Sequence, residues 1–125
     1  MDNRASTGLL IATAYFNAWT TGKMDEAMRL IADDIVCDAP AGRIEGAAAY
    51  RAFLEPFAGS LRSATLLAAF GDESTALIIY DTETALVPSA PGAELLKIAG
   101  GLITHSRFVF DRAPFMAARA AATET

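Results

Sequence analysis

A chain of 125 residues, 53% hydrophobic and 20% charged, has the material for one packed core, too little for two, and not the composition of a disordered segment. Its net charge of −5 argues against nucleic acid, whose binding rests on clustered Lys and Arg, and no apolar run is long enough to span a membrane. With one histidine and one cysteine, Cys37, the chain can form neither an internal disulfide nor a zinc site of the usual ligand sets.

The opening MDNRASTG lacks the basic start and cleavage site of a secretory signal, and with the lone cysteine it reads as cytoplasmic. One domain is expected over 1–125, ordered from about 7 to 116. Ser6 or Thr7 can cap a first helix running to about Thr20, where Gly22 stops it. Its wide apolar face carries Ile11, Tyr15 and Ala18, flanked by Phe16 and Trp19. A second helix, about Met24 to Ala32, places Asp25 and Glu26 in its first turn, where the helix dipole favours acids. Ile35 to Ala39 reads as a short strand turned by Pro40 and Gly42, and Gly46 to Phe57 as a third helix with Tyr50, Phe53, Leu54 and Phe57 at helical spacing. From there the pattern is of strands: about 62–70, 75–87, 93–98 and 102–111, separated by Gly71-Asp72, the loop Pro88 to Gly92, and Gly100-Gly101. An alanine-rich tail follows. Helices first and an antiparallel meander after predict an α+β domain with helices on one face of a sheet.

The strand from Thr75 to Val87 carries the most unusual pattern. It starts apolar on both faces and then places Asp81 and Glu83 in line with Leu77 and Ile79, while Tyr80, Thr82 and Thr84 share the other face. Either the strand leaves the core there and both acids are hydrated, or it lines a pocket whose carboxylates share a cavity and move protons. Glu94 shares a face with Leu96 and Ile98, which points it inward, although its place beside the Pro-Gly loop would equally suit a pocket rim. His105 alternates with Arg107 and Val109, opposite Phe108 and Phe110, so it falls on the outer face. Asp38 also points outward, and Cys37 reads as a small core hydrophobe.

Together, YFNAWTTGKMDEAMRLIADDIVCDAP, the helix GAAAYRAFLEPF and the closing AELLKIAGGLITHSRFVFDRAPF resemble the nuclear transport factor 2-like superfamily, in particular its SnoaL-like and ketosteroid-isomerase-like members. The resemblance spans about residues 8–116. It implies a cone, three N-terminal helices closing over a strongly curved, mainly antiparallel sheet around an apolar pocket, and commonly a dimer through the outer sheet face. In the steroid isomerases a first-helix tyrosine donates to the developing oxyanion, and Tyr15 stands there. A second donor, an acid early in the penultimate strand, falls near Glu94. The catalytic base falls on Ala39, so a true steroid isomerase is not expected. Limonene epoxide hydrolases use an Arg-x-Asp pair where Asp81-Thr82-Glu83 stands here, and Phe108 replaces their last-strand aspartate. The late His and Asp of SnoaL-type cyclases have His105 and Asp111 as counterparts, neither of them placed on the pocket face.

The expectation is therefore a cofactor-free enzyme without metal, doing acid–base chemistry of isomerase, cyclase, dehydratase or epoxide-hydrolase type on a hydrophobic organic molecule. Asp81 or Glu83 would be the base and Tyr15 a donor. Trp19, Phe53, Phe57, Ile79, Glu94, Phe108 and Phe110 would contact the substrate. A homodimer through the outer sheet face is expected, with no nucleic-acid or membrane partner. A non-catalytic ligand-binding or dimerisation domain of the same fold is the alternative, favoured by Ala39 in place of the base.

Overall fold

The computed structural model describes residues 6–123. Helix α1 (Thr7–Thr20) starts where Ser6 Oγ accepts from the Leu9 N–H at 3.4 Å, an N-cap bond that contributes about 1 kcal/mol. Ala12, Tyr15, Phe16 and Trp19 recur at helical spacing and are all buried, so this stripe is the face laid on the sheet. Its first turn can approach the sheet only because position 8 is glycine: a Cβ there would lie 2.2 Å from the Asp72 carbonyl oxygen.

The second helix is shorter than its sequence suggests. Helix α2 (Met24–Met28) ends at Arg29, and the chain enters strand β1 (Ile31–Ala39) four residues before the expected start. Ile31 and Ala32 are buried while Asp33 and Asp34 are exposed, and the pairing to the last strand shifts register between Ile31 and Val36. Pairing with a distant strand thus overrides the local helical periodicity, since the Ile103 N–H reaches the Leu30 carbonyl at 2.7 Å. What reads as a turn at Pro40 to Gly42 leads into an edge strand, β2 (Gly42–Glu45). Helix α3 (Ala47–Ser60) follows.

Strands β3 (Leu61–Gly71), β4 (Thr75–Thr84), β5 (Gly92–Ala99) and β6 (Leu102–Phe110) form the meander, and the sheet order is β2-β1-β6-β5-β4-β3. Every pair is antiparallel except β1 with β6, which are parallel. Register shifts in β3–β4, β5–β6 and β1–β6 are the bulges that let such a sheet curl. The α+β architecture expected from the sequence is the one observed. One element was not foreseen: the alanine-rich tail is a helix, α4 (Ala113–Thr123), its start capped by the Asp111 carboxylate accepting from the Ala113 N–H at 2.9 Å.

The core lies between the helices and the concave face of the sheet, centred on Trp19, Tyr15, Tyr50, Ile35, Leu54 and Ile78. No described helix is long and apolar enough to cross a membrane.

Candidate functional site

Strand β4 decides the site, and it does so with the face opposite to the expected one. Ala76, Ile78, Tyr80, Thr82 and Thr84 are buried; Leu77 and Ile79 are 40% and 41% exposed, and Asp81 lies fully on the outside with them. Glu83 is on the same outer face, where the Ser63 hydroxyl reaches its Oε1 at 3.5 Å. Asp81, Glu83 and Ile79 are therefore not pocket residues, and the two acids are not a coupled pair in a cavity. The sequence could not separate the faces because 76–80 is apolar on both; the outer face continues an exposed apolar surface with Phe70 on adjacent β3 and, across β5, Val109 on β6. The informative signal lay on the other face, where a hydroxyl-bearing residue recurs at Tyr80, Thr82 and Thr84.

Those hydroxyls have assigned work. The Thr82 Oγ1 donates to the Ala90 carbonyl at 2.6 Å and the Thr84 Oγ1 to the Val87 carbonyl at 3.0 Å, pinning the loop between β4 and β5 over the sheet. This is where the chain leaves strand geometry, three residues before the expected end at Val87. Tyr80 points into the molecule. Its ring sits 5.0 Å from Phe16 and 5.8 Å from Trp19, and on the strand beside it Gly92 leaves the room: a Cβ there would come within 3.1 Å of the Tyr80 ring.

Under this ring lies Glu94, wholly buried. It is inward, as Leu96 and Ile98 suggested, and not at the rim. The Tyr15 hydroxyl donates to its Oε1 at 2.8 Å and the Tyr80 hydroxyl to its Oε2 at 3.1 Å, while the Tyr15 and Tyr50 hydroxyls bond each other. Four polar groups from α1, α3, β4 and β5 thus converge within the apolar core. Burial pushes the Glu94 carboxyl up to about 8, against the opposing pull of the bonds from Tyr15 and Tyr80. Burial, and after it the nearby Glu94 charge, hold all three phenols well above their usual range. At neutral pH the cluster is protonated throughout and able to donate. Cys37, buried, is pushed up to about 12 chiefly by burial and is no nucleophile. The hydroxyl of Ser106 and the indole N–H of Trp19 are buried without a hydrogen-bond partner among the described residues.

Above this cluster opens a pocket of about 410 Å³. Tyr80 and Gly92 are part of its wall, with Phe53, Phe57, Phe108 and Phe110 around them, and Thr84, Leu86 and Ala90 of the β4–β5 segment on one side. Helix α4 closes it with Phe115, whose ring packs 6.0 Å from Phe57 and 5.8 Å from Phe110. Of the residues singled out in the sequence, Phe53, Phe57, Phe108 and Phe110 border the pocket, whereas Tyr15, Trp19 and Glu94 lie behind its wall. Tyr50 and Tyr80 were placed on their helix and strand without a role at the site, and helix α4 was not foreseen. Among the described residues no cluster of three or more His, Cys, Asp and Glu is arranged to hold a metal, and the pocket wall carries no carboxylate, histidine or thiol.

On the convex face, Asp38 accepts from His105 Nε2 at 2.8 Å, with Arg107 and Arg43 at 3.7 and 4.0 Å. These bonds, that of His105 foremost, hold its carboxyl below the usual range. This group is far from the pocket in the only sense that matters chemically: it faces away.

The model of the SnoaL-like domain matches residues 12–106. A Kribbella flavida protein of known crystal structure is similar at 53% identity, over 97% of this chain and 100% of its own, with a TM-score of 0.93. An NTF2-like protein of unknown function from Cytophaga hutchinsonii is similar at 19% identity, over 93% of this chain and 99% of its own, with a TM-score of 0.75. A proposed ketosteroid isomerase, also from Kribbella flavida, is similar at 20% identity, over 86% of this chain and 79% of its own, with a TM-score of 0.71. No curated protein matches the chain.

Proposed function

The chain belongs to the SnoaL-like domain family, and from that premise we propose that it binds a small hydrophobic organic molecule in its pocket and polarises an oxygen of that molecule through Tyr80 and Glu94. The observation that carries this reading is a neutral carboxyl, wholly buried, with one tyrosine between it and the pocket. With Glu94 protonated, the bond to Tyr80 can turn round, the carboxyl proton passing to the Tyr80 oxygen and freeing the Tyr80 O–H to donate to a ligand carbonyl or enol oxygen. Tyr15, held by Tyr50, fixes the other carboxyl oxygen. A preset donor is worth about 3 kcal/mol to a developing oxyanion. This chemistry suits an isomerisation, cyclisation or dehydration that passes through an enolate, with the α-proton taken by solvent water because the described pocket wall carries no carboxylate or imidazole. Asp81 and Glu83 have no place in it.

The absence of a carboxylate or histidine on the described pocket wall favours a second reading, a binder that holds its ligand without turning it over. The two part in one experiment. 2-Tetralone, an apolar ketone with acidic α-hydrogens, is incubated with the protein in D₂O and its deuteration followed by NMR. The enzyme reading expects exchange above the buffer rate that is lost in Tyr80→Phe and Glu94→Gln. Binding of the ketone with exchange only at the buffer rate would leave the binder.

The proposal includes a homodimer through the convex sheet face, where Phe70, Leu77, Ile79 and Val109 are exposed. Sedimentation as a monomer at tens of micromolar would remove that part.

A further inference from the structure

The pocket wall has a charge distribution that does not follow from the composition of the chain. Acids outnumber bases, 15 to 10, yet among the described residues the only ionisable groups at the pocket besides the phenol of Tyr80 are two arginines, Arg112 and Arg119. Both belong to the segment that closes the pocket. Arg112 immediately precedes α4, its carbonyl accepting from the Met116 N–H at 3.0 Å, and Arg119 lies within the helix one turn beyond Phe115 and Met116. Phe115 docks against Phe57 and Phe110, and this fixes which side of α4 looks into the pocket. Both arginines are exposed, so their charges lie at the mouth and not among the aromatic rings.

Three of the five other described arginines are engaged with acids, and none of the five lines the pocket. Arg51 bridges Asp25 and Glu55 at 2.8 and 3.0 Å, and Arg43 and Arg107 face Asp38. Arg112 and Arg119 form no ion pair with a described residue, and the acid next in sequence, Asp111, is engaged in capping α4. At the opposite end of the pocket, behind Tyr80, lies the carboxyl of Glu94. That end offers a full negative charge no cation to pair with, whereas the mouth offers two.

We propose that the natural ligand is an organic carboxylic acid with an aromatic or alicyclic body, inserted body first towards Tyr80 and Phe108 and held at the mouth by Arg112 and Arg119. This rests on the reading that the pocket takes a hydrophobic small molecule, and it adds the ligand's charge and its direction of entry. The apolar body supplies the burial, as in other small-molecule sites. The guanidiniums supply orientation, because a carboxylate pairs with their forked N–H groups and loses that pairing if the molecule enters reversed.

The test uses two probes with one body. 8-Anilino-1-naphthalenesulfonate and N-phenyl-1-naphthylamine share the phenylnaphthylamine skeleton, and only the first is an anion. Binding is read by energy transfer from Trp19, the single tryptophan, whose ring lies 5.9 Å from that of Phe57 in the pocket wall. In the double variant Arg112→Gln/Arg119→Gln the anionic probe is expected to weaken about tenfold or more, and the neutral one to stay within about twofold. Arg62→Gln, another exposed arginine, should move neither. Equal weakening of both probes, or an unchanged affinity of the anionic one, would overturn the inference while leaving the pocket reading in place. If neither probe binds the unaltered protein, the pocket reading itself falls and this inference with it.

Discussion

Two carboxylates of one sheet, Glu94 and Asp38, are driven in opposite directions by the face they occupy. Glu94 looks into the concave side, has lost its water, and receives only neutral phenols in exchange; burial wins and the proton is kept to about pH 8. Asp38 looks out from the convex side, keeps its water and gains His105, Arg107 and Arg43; its proton leaves more easily than usual. Hydrogen bonds are present in both cases. The difference is that phenols bring no charge to offset desolvation, whereas Asp38 stays hydrated, accepts the His105 hydrogen bond and faces two guanidiniums. The buried acid therefore keeps its proton because its partners are neutral.

The largest expected effect comes from emptying the concave site. Glu94→Ala leaves the Tyr80 hydroxyl unpaired and Tyr15 with Tyr50 alone, and opens a cavity between them, which should cost about 3 kcal/mol in urea unfolding. A loss under about 1 kcal/mol would mean that the network is not holding the core.

Next comes the pH dependence of stability. The folded value of Glu94, about 8, is above the 4.5 of an ordinary glutamate, so the folded state keeps a proton that the unfolded chain gives up. That stabilisation is present in full below 4.5 and is lost progressively as pH rises through 8. Melting temperature should therefore decline from pH 5 to pH 9, and Glu94→Gln, which has no proton to lose, should flatten the decline. Parallel curves for the two proteins would contradict the assignment.

A smaller change should follow at the pocket wall. Gly92→Ala places a methyl group against the Tyr80 ring at about van der Waals overlap, so the ring must shift, at a cost of about 1 to 3 kcal/mol. The anilinonaphthalene probes should bind more weakly to it than to the parent. Smallest of all, Asp81→Asn and Glu83→Gln should change stability by under about 0.5 kcal/mol and leave probe binding alone. A clear loss of binding in either would return those acids to the site.

What the sequence made legible and what it did not follow one physical line. Patterns closed within a segment could be read: the Ser6 cap and apolar stripe of α1, the glycine turns of the meander, and the inward direction of Glu94 from its alternation with Leu96 and Ile98. Properties set by what another segment does could not. Strand β4 is apolar on both sides, and only the neighbours brought by β3 and β5 decide that Tyr80 faces the core and Asp81 does not. Ile31 and Ala32 close a helical pattern, but the pairing of Ile31 with Ile103 of β6 draws them into strand β1. The tail past Asp111 is alanine-rich with little periodic contrast, and it becomes functional only because Phe115 finds Phe57 and Phe110. Tyr50 was visible as a helix residue, and its bond to Tyr15 depends on two helices meeting over the sheet.

The most direct test of the central claim is the titration of Glu94 itself. With carboxyl-labelled glutamate, ¹³C NMR follows each side chain separately, and Glu94→Gln identifies the resonance. The account predicts one glutamate with a midpoint near 8 while the rest titrate in the ordinary range. A Glu94 midpoint near 4.5 would mean a carboxylate ionised at neutral pH, with no proton to offer Tyr80, and would contradict it.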